Sequence, residues 1–223
     1  MQVTKPQAVL FDLDGTLVDS VPDIALALDA ALAELSLAEA GIDRVRDWVG
    51  NGARILVVRG LAWGLQQTTE SLSTEQIDRA EQLFRQHYSR YLNQASALYS
   101  GVTEYLSWLH AQAVPMAVVT NKPIAFVPAL LSGLGIDGFF DVVLGGDSVD
   151  NSKPHPQMLL VACQRLGVEP QQCWMVGDSC NDIEAARAAE MPVVGVSYGY
   201  NHGRDIALDR PDRVVDSLNE LIM

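Results

Sequence analysis

The sequence predicts an α/β protein, a doubly wound parallel sheet interrupted by a helical insertion. Three observations carry this reading. Short apolar runs of strand length recur at residues 8–11, 116–119, 142–144, 174–176 and 193–196. Segments of helical periodicity separate the later runs, and such alternation makes a parallel sheet with helices on both faces. An all-helical block, residues 17–95, parts the first run from the rest. The chain has 223 residues, 48% of them hydrophobic and 19% charged, which excludes global disorder and suits one large domain or one domain carrying a smaller one.

The first run, Ala8-Val9-Leu10-Phe11, is apolar throughout and reads as a strand buried on both faces, ending in Asp12. Ser20-Val21-Pro22-Asp23 then reads as a capped helix start, with Ser20 as N-cap and Asp23 at the third position. Val21, Ile24, Ala25, Leu28, Ala31, Leu32 and Leu35 share one face of that helix. A shorter helix carries Ile42, Val45 and Trp48. It breaks at Gly50-Asn51-Gly52, before a new apolar run at Ile55-Leu56. Ser73-Thr74-Glu75-Gln76 is a capping box opening a helix with Ile77, Ala80, Phe84, His87, Tyr88 and Tyr91 on one side. Later helical stretches fall at 102–109, 126–134, 158–166 and 183–189. The division is a Rossmann-like core of residues 1–16 and 96–223 and a helical insertion of residues 17–95. Trp48 and Trp63 are expected in the core of the insertion.

Fifteen basic against 28 acidic residues leave a net charge of −13, a field that repels polyanions and argues against nucleic-acid binding. The three cysteines form no CxxC pair, so no disulfide or zinc framework is expected. Met1-Gln2-Val3-Thr4-Lys5-Pro6 lacks the features of a signal peptide, and no apolar run is long enough to span a bilayer. The expected location is the cytoplasm.

In an open parallel sheet, ligands bind beyond the carboxyl ends of the strands. Those ends read Asp12-Leu13-Asp14-Gly15-Thr16, Thr120-Asn121-Lys122, Ser152-Lys153-Pro154 and Gly177-Asp178-Ser179-Cys180-Asn181-Asp182. Three carboxylates at one rim, Asp12, Asp14 and Asp178, repel each other unless a cation neutralises them. Mg²⁺ is the usual hard cation where a phosphate shares the coordination. Thr120 and Lys153 then fit as phosphate partners.

These four elements in this order resemble the haloacid dehalogenase superfamily of phosphohydrolases, over nearly the whole chain. The insertion resembles that superfamily's helical cap. Trp48-Val49-Gly50-Asn51-Gly52-Ala53 and the segment from Gly195 to Gly203 resemble the bacterial phosphoglycolate phosphatase branch. The resemblance implies Asp12 as a nucleophile forming an aspartyl-phosphate, and Asp14 as the general acid and base, with a raised pKa. It implies Mg²⁺ held by Asp12, the Asp14 main-chain carbonyl and Asp178. The Thr120 hydroxyl, the Asn121 N–H and Lys153 are implied on the phosphoryl oxygens. Asp182 orients metal-bound water or Lys153, or else makes a structural salt bridge. Gly15 supplies a tight turn, and Thr16 is structural or bonds the Asp14 backbone.

In the cap, Asn51, Gly52 and Arg54 are candidate contacts to a small carboxylate, as in 2-phosphoglycolate, against the plainer reading of an inter-helix turn. Arg54 and Arg59 are the nearest cations, each a ligand contact or a solvated charge. Tyr198, Tyr200 and His202 shape the entrance or pack a loop. Cys180, inside the Gly-Asp loop, is expected near the metal and sensitive to oxidants. No lysine lies in the cap, which argues against the superfamily's phosphonate hydrolases, and Asp14 argues against its haloacid dehalogenases and ion-pumping ATPases. The expected activity is Mg²⁺-dependent hydrolysis of a small phosphomonoester, 2-phosphoglycolate first and a sugar phosphate second, by a monomer or homodimer. A phosphomutase or a non-catalytic binding protein on the same fold are the remaining alternatives.

Overall fold

The computed structural model describes residues 5–222. The part of the leader-peptide reading that concerns residues 1–4 lies outside them. In chain order the elements are β1 (Ala8–Phe11), β2 (Val18–Asp19), α1 (Val21–Glu34), α2 (Ile42–Trp48), α3 (Ala53–Leu65), α4 (Thr74–Tyr91), β3 (Ala97–Leu98), α5 (Val102–Ala111), β4 (Met116–Val119), α6 (Val127–Gly133), β5 (Val142–Leu144), α7 (Gln157–Leu166), β6 (Cys173–Gly177), α8 (Cys180–Ala188), β7 (Val193–Val196) and β8 (Arg213–Val215).

Six strands form a parallel sheet in the order β5-β4-β1-β6-β7-β8. Phe11 lies level with Val118 on one side and Val176 on the other. All four residues of β1 are fully buried, because helices cover both faces. Val9 and Phe11 join a cluster with Val102, Leu106, Val127 and Leu130 from α5 and α6. Ala8 and Leu10 face Met158, Leu159, Ile183 and Ala186 from α7 and α8. The two-residue period of a strand thus divides four consecutive apolar residues between two cores. The chain fills the β4–β5 side before crossing to β6, so the carboxyl end of β1 lies at the point where the strand order reverses, where such sheets form a crevice.

Helices α1 to α4 have a third apolar cluster of their own, including Leu28, Leu32, Leu56, Leu61, Phe84 and Tyr88, joined by Phe126 and Tyr200. The capping box at the start of α4 forms as expected, with Ser73 and Gln76 exchanging side-chain bonds to each other's main-chain N–H. The strands β2 and β3, where the chain leaves for these helices and returns from them, pair antiparallel, Val18 with Leu98 and Asp19 with Ala97. Neither this ribbon nor β8 was expected: the strands of the ribbon are two residues long, and β8 opens on a charged residue, Arg213.

Two local expectations are corrected. Ser20 and Asp23 do not form a capping box: Ser20 makes no side-chain cap bond. The Tyr200 hydroxyl accepts instead from the Ser20 and Val21 N–H groups, at 3.0 and 3.2 Å. Asp23 is fully buried and accepts from Ala95 N–H, Ser96 N–H and the Ser96 hydroxyl. Trp63 is not a core residue of the helical layer; it is 41% exposed, with the Arg44 guanidinium 4.0 Å above its ring. Trp48 is partly buried against the layer's core.

Asp23 therefore fastens the returning chain to the first turn of α1. Asp23→Ala is expected to destabilise the protein by about 2–4 kcal/mol, since two main-chain N–H groups lose their charged acceptor in a buried place. Urea denaturation measures this, and a loss under about 0.5 kcal/mol would contradict it.

Candidate active site

Asp12 stands one residue past β1 and its N–H bonds to the Val176 carbonyl, so the sheet itself fixes its position. The chain then turns sharply, with the Thr16, Leu17 and Val18 N–H groups all directed at the Leu13 carbonyl. Gly15 has φ +92°, and a Cβ there would collide with the Asp178 carboxylate. The glycine serves the turn and also a close approach. Thr16 takes a third role: its hydroxyl donates to Asp178 Oδ1 at 2.9 Å. Asp178 Oδ2 accepts from the Tyr200 N–H at 2.7 Å.

Lys153 and Asp182 meet beneath Asp12. Lys153 Nζ lies 2.6 Å from Asp182 Oδ1 and 2.9 Å from Asp12 Oδ1, with its side chain only 1% exposed. The contact to Asp12 is off the hydrogen-bond direction, so Asp12 Oδ1 has no hydrogen-bonded partner among the described residues. The second oxygen of Asp182 accepts from the Ser179 N–H and hydroxyl. Asp182 thus holds Lys153 while tying down the first turn of α8. The main chain of Lys153, which precedes a cis proline, is clamped by the Asn121 side chain. Its N–H donates to Asn121 Oδ1 and its carbonyl accepts from Asn121 Nδ2.

Oxygens of Asp12, Asp178 and Asp182 lie within 4.8 Å of one another, all buried, a group that could hold a metal ion. Burial first, and then the neighbouring carboxylates, pushes Asp178 up to about 8. Burial likewise pushes Asp12 up to about 6, although the Lys153 ammonium opposes it. For Lys153 the balance is reversed: burial disfavours its charge, but Asp12 and Asp182 more than offset that and raise its pKa. Both aspartates bind a proton more tightly in the folded chain than at their ordinary 3.8. Folding takes up those protons, so the metal-free protein is expected to lose stability as the pH rises from 3.8 towards 8. Thermal unfolding in a chelator at about pH 5 and about pH 8 checks this, with the midpoint expected several degrees lower at the higher pH. An unchanged or higher midpoint there would contradict it.

Asp14 is turned away from the carboxylate group. Its side chain accepts from the Ser20 hydroxyl, and both its oxygens accept from Lys122 Nζ, at 3.0 and 3.1 Å. Its immediate neighbours are a hydroxyl and an ammonium, not the crowd of carboxylates expected from the sequence. Lys122 had no role assigned there. It is buried, and its ammonium stands 4.6 Å from the centre of the Tyr88 ring. Thr120, also buried, turns its hydroxyl to accept from the Lys122 N–H.

A cavity of about 40 Å³ separates the sheet from the helical layer. Asp12, Asp14, Thr120, Asn121 and Lys122 line it from below, and Ile24, Val49, Gly52, Leu56, Phe84 and Tyr88 from above. The layer is held down at Gly50, whose carbonyl accepts from the Asn121 and Asn181 side chains at 3.0 and 3.3 Å. His202 Nδ1 lies 2.9 Å from the Asp47 carbonyl. Tyr198, Tyr200 and His202 prove to be packing and fastening groups: the Tyr198 hydroxyl donates to the Thr16 carbonyl and that of Tyr200 to Asp19.

Of the three candidates in the insertion, only Gly52 lines the cavity. The Arg54 guanidinium is bound to Asp78 and Glu81 of α4, at 2.8 and 2.7 Å. Asn51 accepts from Arg59, whose other nitrogen donates to the Trp48 carbonyl. Both arginines therefore serve the internal structure of the layer. Cys180 is half-buried, and burial raises its thiol, as do Asp209 and Glu184, so the expected reactive thiolate is not supported.

The arrangement brings together two carboxylates reached from one turn, a buried ammonium and a place for a cation. The sequence model of the haloacid dehalogenase-like hydrolases matches residues 6–190. The chain belongs to that family. Among curated proteins it is similar to phosphoglycolate phosphatase of Shigella boydii serotype 4, with 45% identity over 97% of this chain and 91% of that one. The phosphoglycolate phosphatase of Escherichia coli K12 is 44% identical over the same shares. A solved structure described as a predicted phosphoglycolate phosphatase from Haemophilus somnus 129PT superposes with a TM-score of 0.92 at 39% identity, covering 98% of this chain and 97% of that one.

Proposed function

We propose that the protein is a Mg²⁺-dependent phosphatase hydrolysing 2-phosphoglycolate to glycolate and phosphate through an aspartyl-phosphate at Asp12. The observation that carries this is the position of Asp12, buried at the end of the central strand, facing a small covered cavity with Asp14 beside it. In this reading residues 17–95 act as a cap over a core of residues 1–16 and 96–223. Asp12 attacks phosphorus and the bond to the ester oxygen breaks. Asp14 protonates the departing alkoxide, and in the second half removes a proton from the water that attacks the acyl phosphate. The Thr120 hydroxyl, the Asn121 N–H and the Lys153 ammonium hold the phosphoryl oxygens as charge redistributes. Asp182 keeps Lys153 in place.

The residues present fit a hard divalent cation. They offer oxygen donors only, Asp12 Oδ1 lacks a hydrogen-bonded partner, and burial opposes the charge on Asp12 and Asp178. Asp12, the Asp14 main-chain carbonyl and Asp178 would hold Mg²⁺, which supplies charge neutralisation between nucleophile and phosphate.

Among the described residues no helix is long and apolar enough to cross a membrane. The net charge of −13 favours a free small phosphomonoester over a nucleic acid, and the reading is of a cytoplasmic enzyme acting as a monomer or homodimer. Phosphate release from 2-phosphoglycolate and a panel of sugar phosphates, with Mg²⁺ and with chelator, tests it. Preference for 2-phosphoglycolate by about two orders of magnitude, lost on chelation, is expected. Equal turnover across the panel would favour a general phosphatase.

A further inference from the structure

Resting on the phosphoglycolate reading, we propose that Lys122 and Tyr88 form the subsite that recognises a carboxylate on the leaving group. Lys122 is the only cation among the described residues lining the cavity. The arginine that the sequence offered for this task, Arg54, is committed to Asp78 and Glu81 and does not reach the cavity. Tyr88 comes from the opposite wall and is 1% exposed. Its hydroxyl has no hydrogen-bond partner among the described residues. The Lys122 ammonium beside it is also a donor, so the hydroxyl proton has no acceptor among the described residues until a ligand supplies one. A buried donor left so costs free energy. It stays an O–H donor at neutral pH, since burial pushes Tyr88 up to about 12 in spite of the Lys122 ammonium.

The order of contacts sets the distance from the reacting phosphorus. Asp14 serves the ester oxygen, and Lys122 touches Asp14 through both carboxylate oxygens. In 2-phosphoglycolate the carboxylate carbon lies two bonds beyond the ester oxygen, so Lys122 stands where that group arrives. The other upper-wall side chains, Ile24, Val49, Leu56 and Phe84, are apolar, so no side chain there besides Tyr88 can bond the hydroxyls of a sugar. The cavity is small, about 40 Å³, which favours a short leaving group. Carboxylate recognition thus comes from one group of the core and one of the helical layer, and the leaving group bridges the two.

Steady-state kinetics on two esters of equal length test this. They are 2-phosphoglycolate and 2-hydroxyethyl phosphate, in which CH₂OH replaces the carboxylate. The readout is the ratio of their kcat/KM values, which a role of Lys122 confined to positioning Asp14 leaves unchanged. The ratio is expected to fall about tenfold in Tyr88→Phe and about a hundredfold in Lys122→Met, mainly through KM for 2-phosphoglycolate. Tyr88→Phe removes one unpartnered oxygen and keeps the ring, so it remains informative if Lys122→Met does not fold. An unchanged ratio in Tyr88→Phe, with wild type still preferring 2-phosphoglycolate, overturns this inference and leaves the phosphatase reading standing. A wild type without that preference overturns both.

Discussion

Asp12→Asn is expected to keep the fold and to lose turnover of 2-phosphoglycolate by at least about three orders of magnitude. The amide is isosteric with the carboxylate but cannot attack phosphorus. Lys153 retains Asp182 at 2.6 Å, so the substitution does not strand a buried cation. Removing a carboxylate whose ionised form burial opposes should leave the metal-free protein at least as stable near neutral pH. The two readouts together identify the role: a purely structural aspartate would lose stability along with activity. Phosphate release gives the first and thermal unfolding the second. Turnover within about tenfold of wild type would remove Asp12 as the nucleophile.

Lys153→Met is expected to cost both activity and stability. The ammonium is buried between two carboxylates, and its removal leaves Asp12 and Asp182 facing each other without compensation. Breaking a buried pair by deleting one partner typically costs about 3–5 kcal/mol. Part of that returns if Asp182 is neutralised as well, so Lys153→Met with Asp182→Asn should be more stable than Lys153→Met alone. Activity should stay low in both if Lys153 has its proposed place on the phosphoryl oxygens, since neither variant restores a cation there. Urea denaturation and phosphate release on the pair separate the two effects. Equal stability of the single and double variants would show that Asp182 does not depend on Lys153.

The sheet was legible in the sequence wherever a strand is buried on both faces. Val9 and Met175 lie in runs that are apolar without interruption, and the structure turns each run into a parallel strand. The residues gathered beyond the strand ends were legible too, because a parallel sheet brings its carboxyl ends together whatever the spacing along the chain. What stayed hidden depended on side-chain partners distant in sequence. Ser20 and Asp23 match the local pattern of a capping box, yet Asp14 takes the hydroxyl and Ala95 and Ser96 take the carboxylate. Arg54 looked available until α4 supplied two acidic neighbours. Lys122 looked ordinary because nothing near it in the sequence reveals that Asp14 and Tyr88 converge on it. Local pattern states what a side chain is able to do, and tertiary contacts decide which of those options it takes.

The Asn121 amide joins three segments of chain, donating upward to the Gly50 carbonyl while gripping both main-chain polar groups of Lys153 below. If the helical layer lifts at Gly50 to release product, as the cap reading requires, that bond is among those given up. The two bonds to Lys153 need not be. Such a movement would leave the main chain of Lys153 clamped by Asn121, and with it the alignment of the cation beside Asp12.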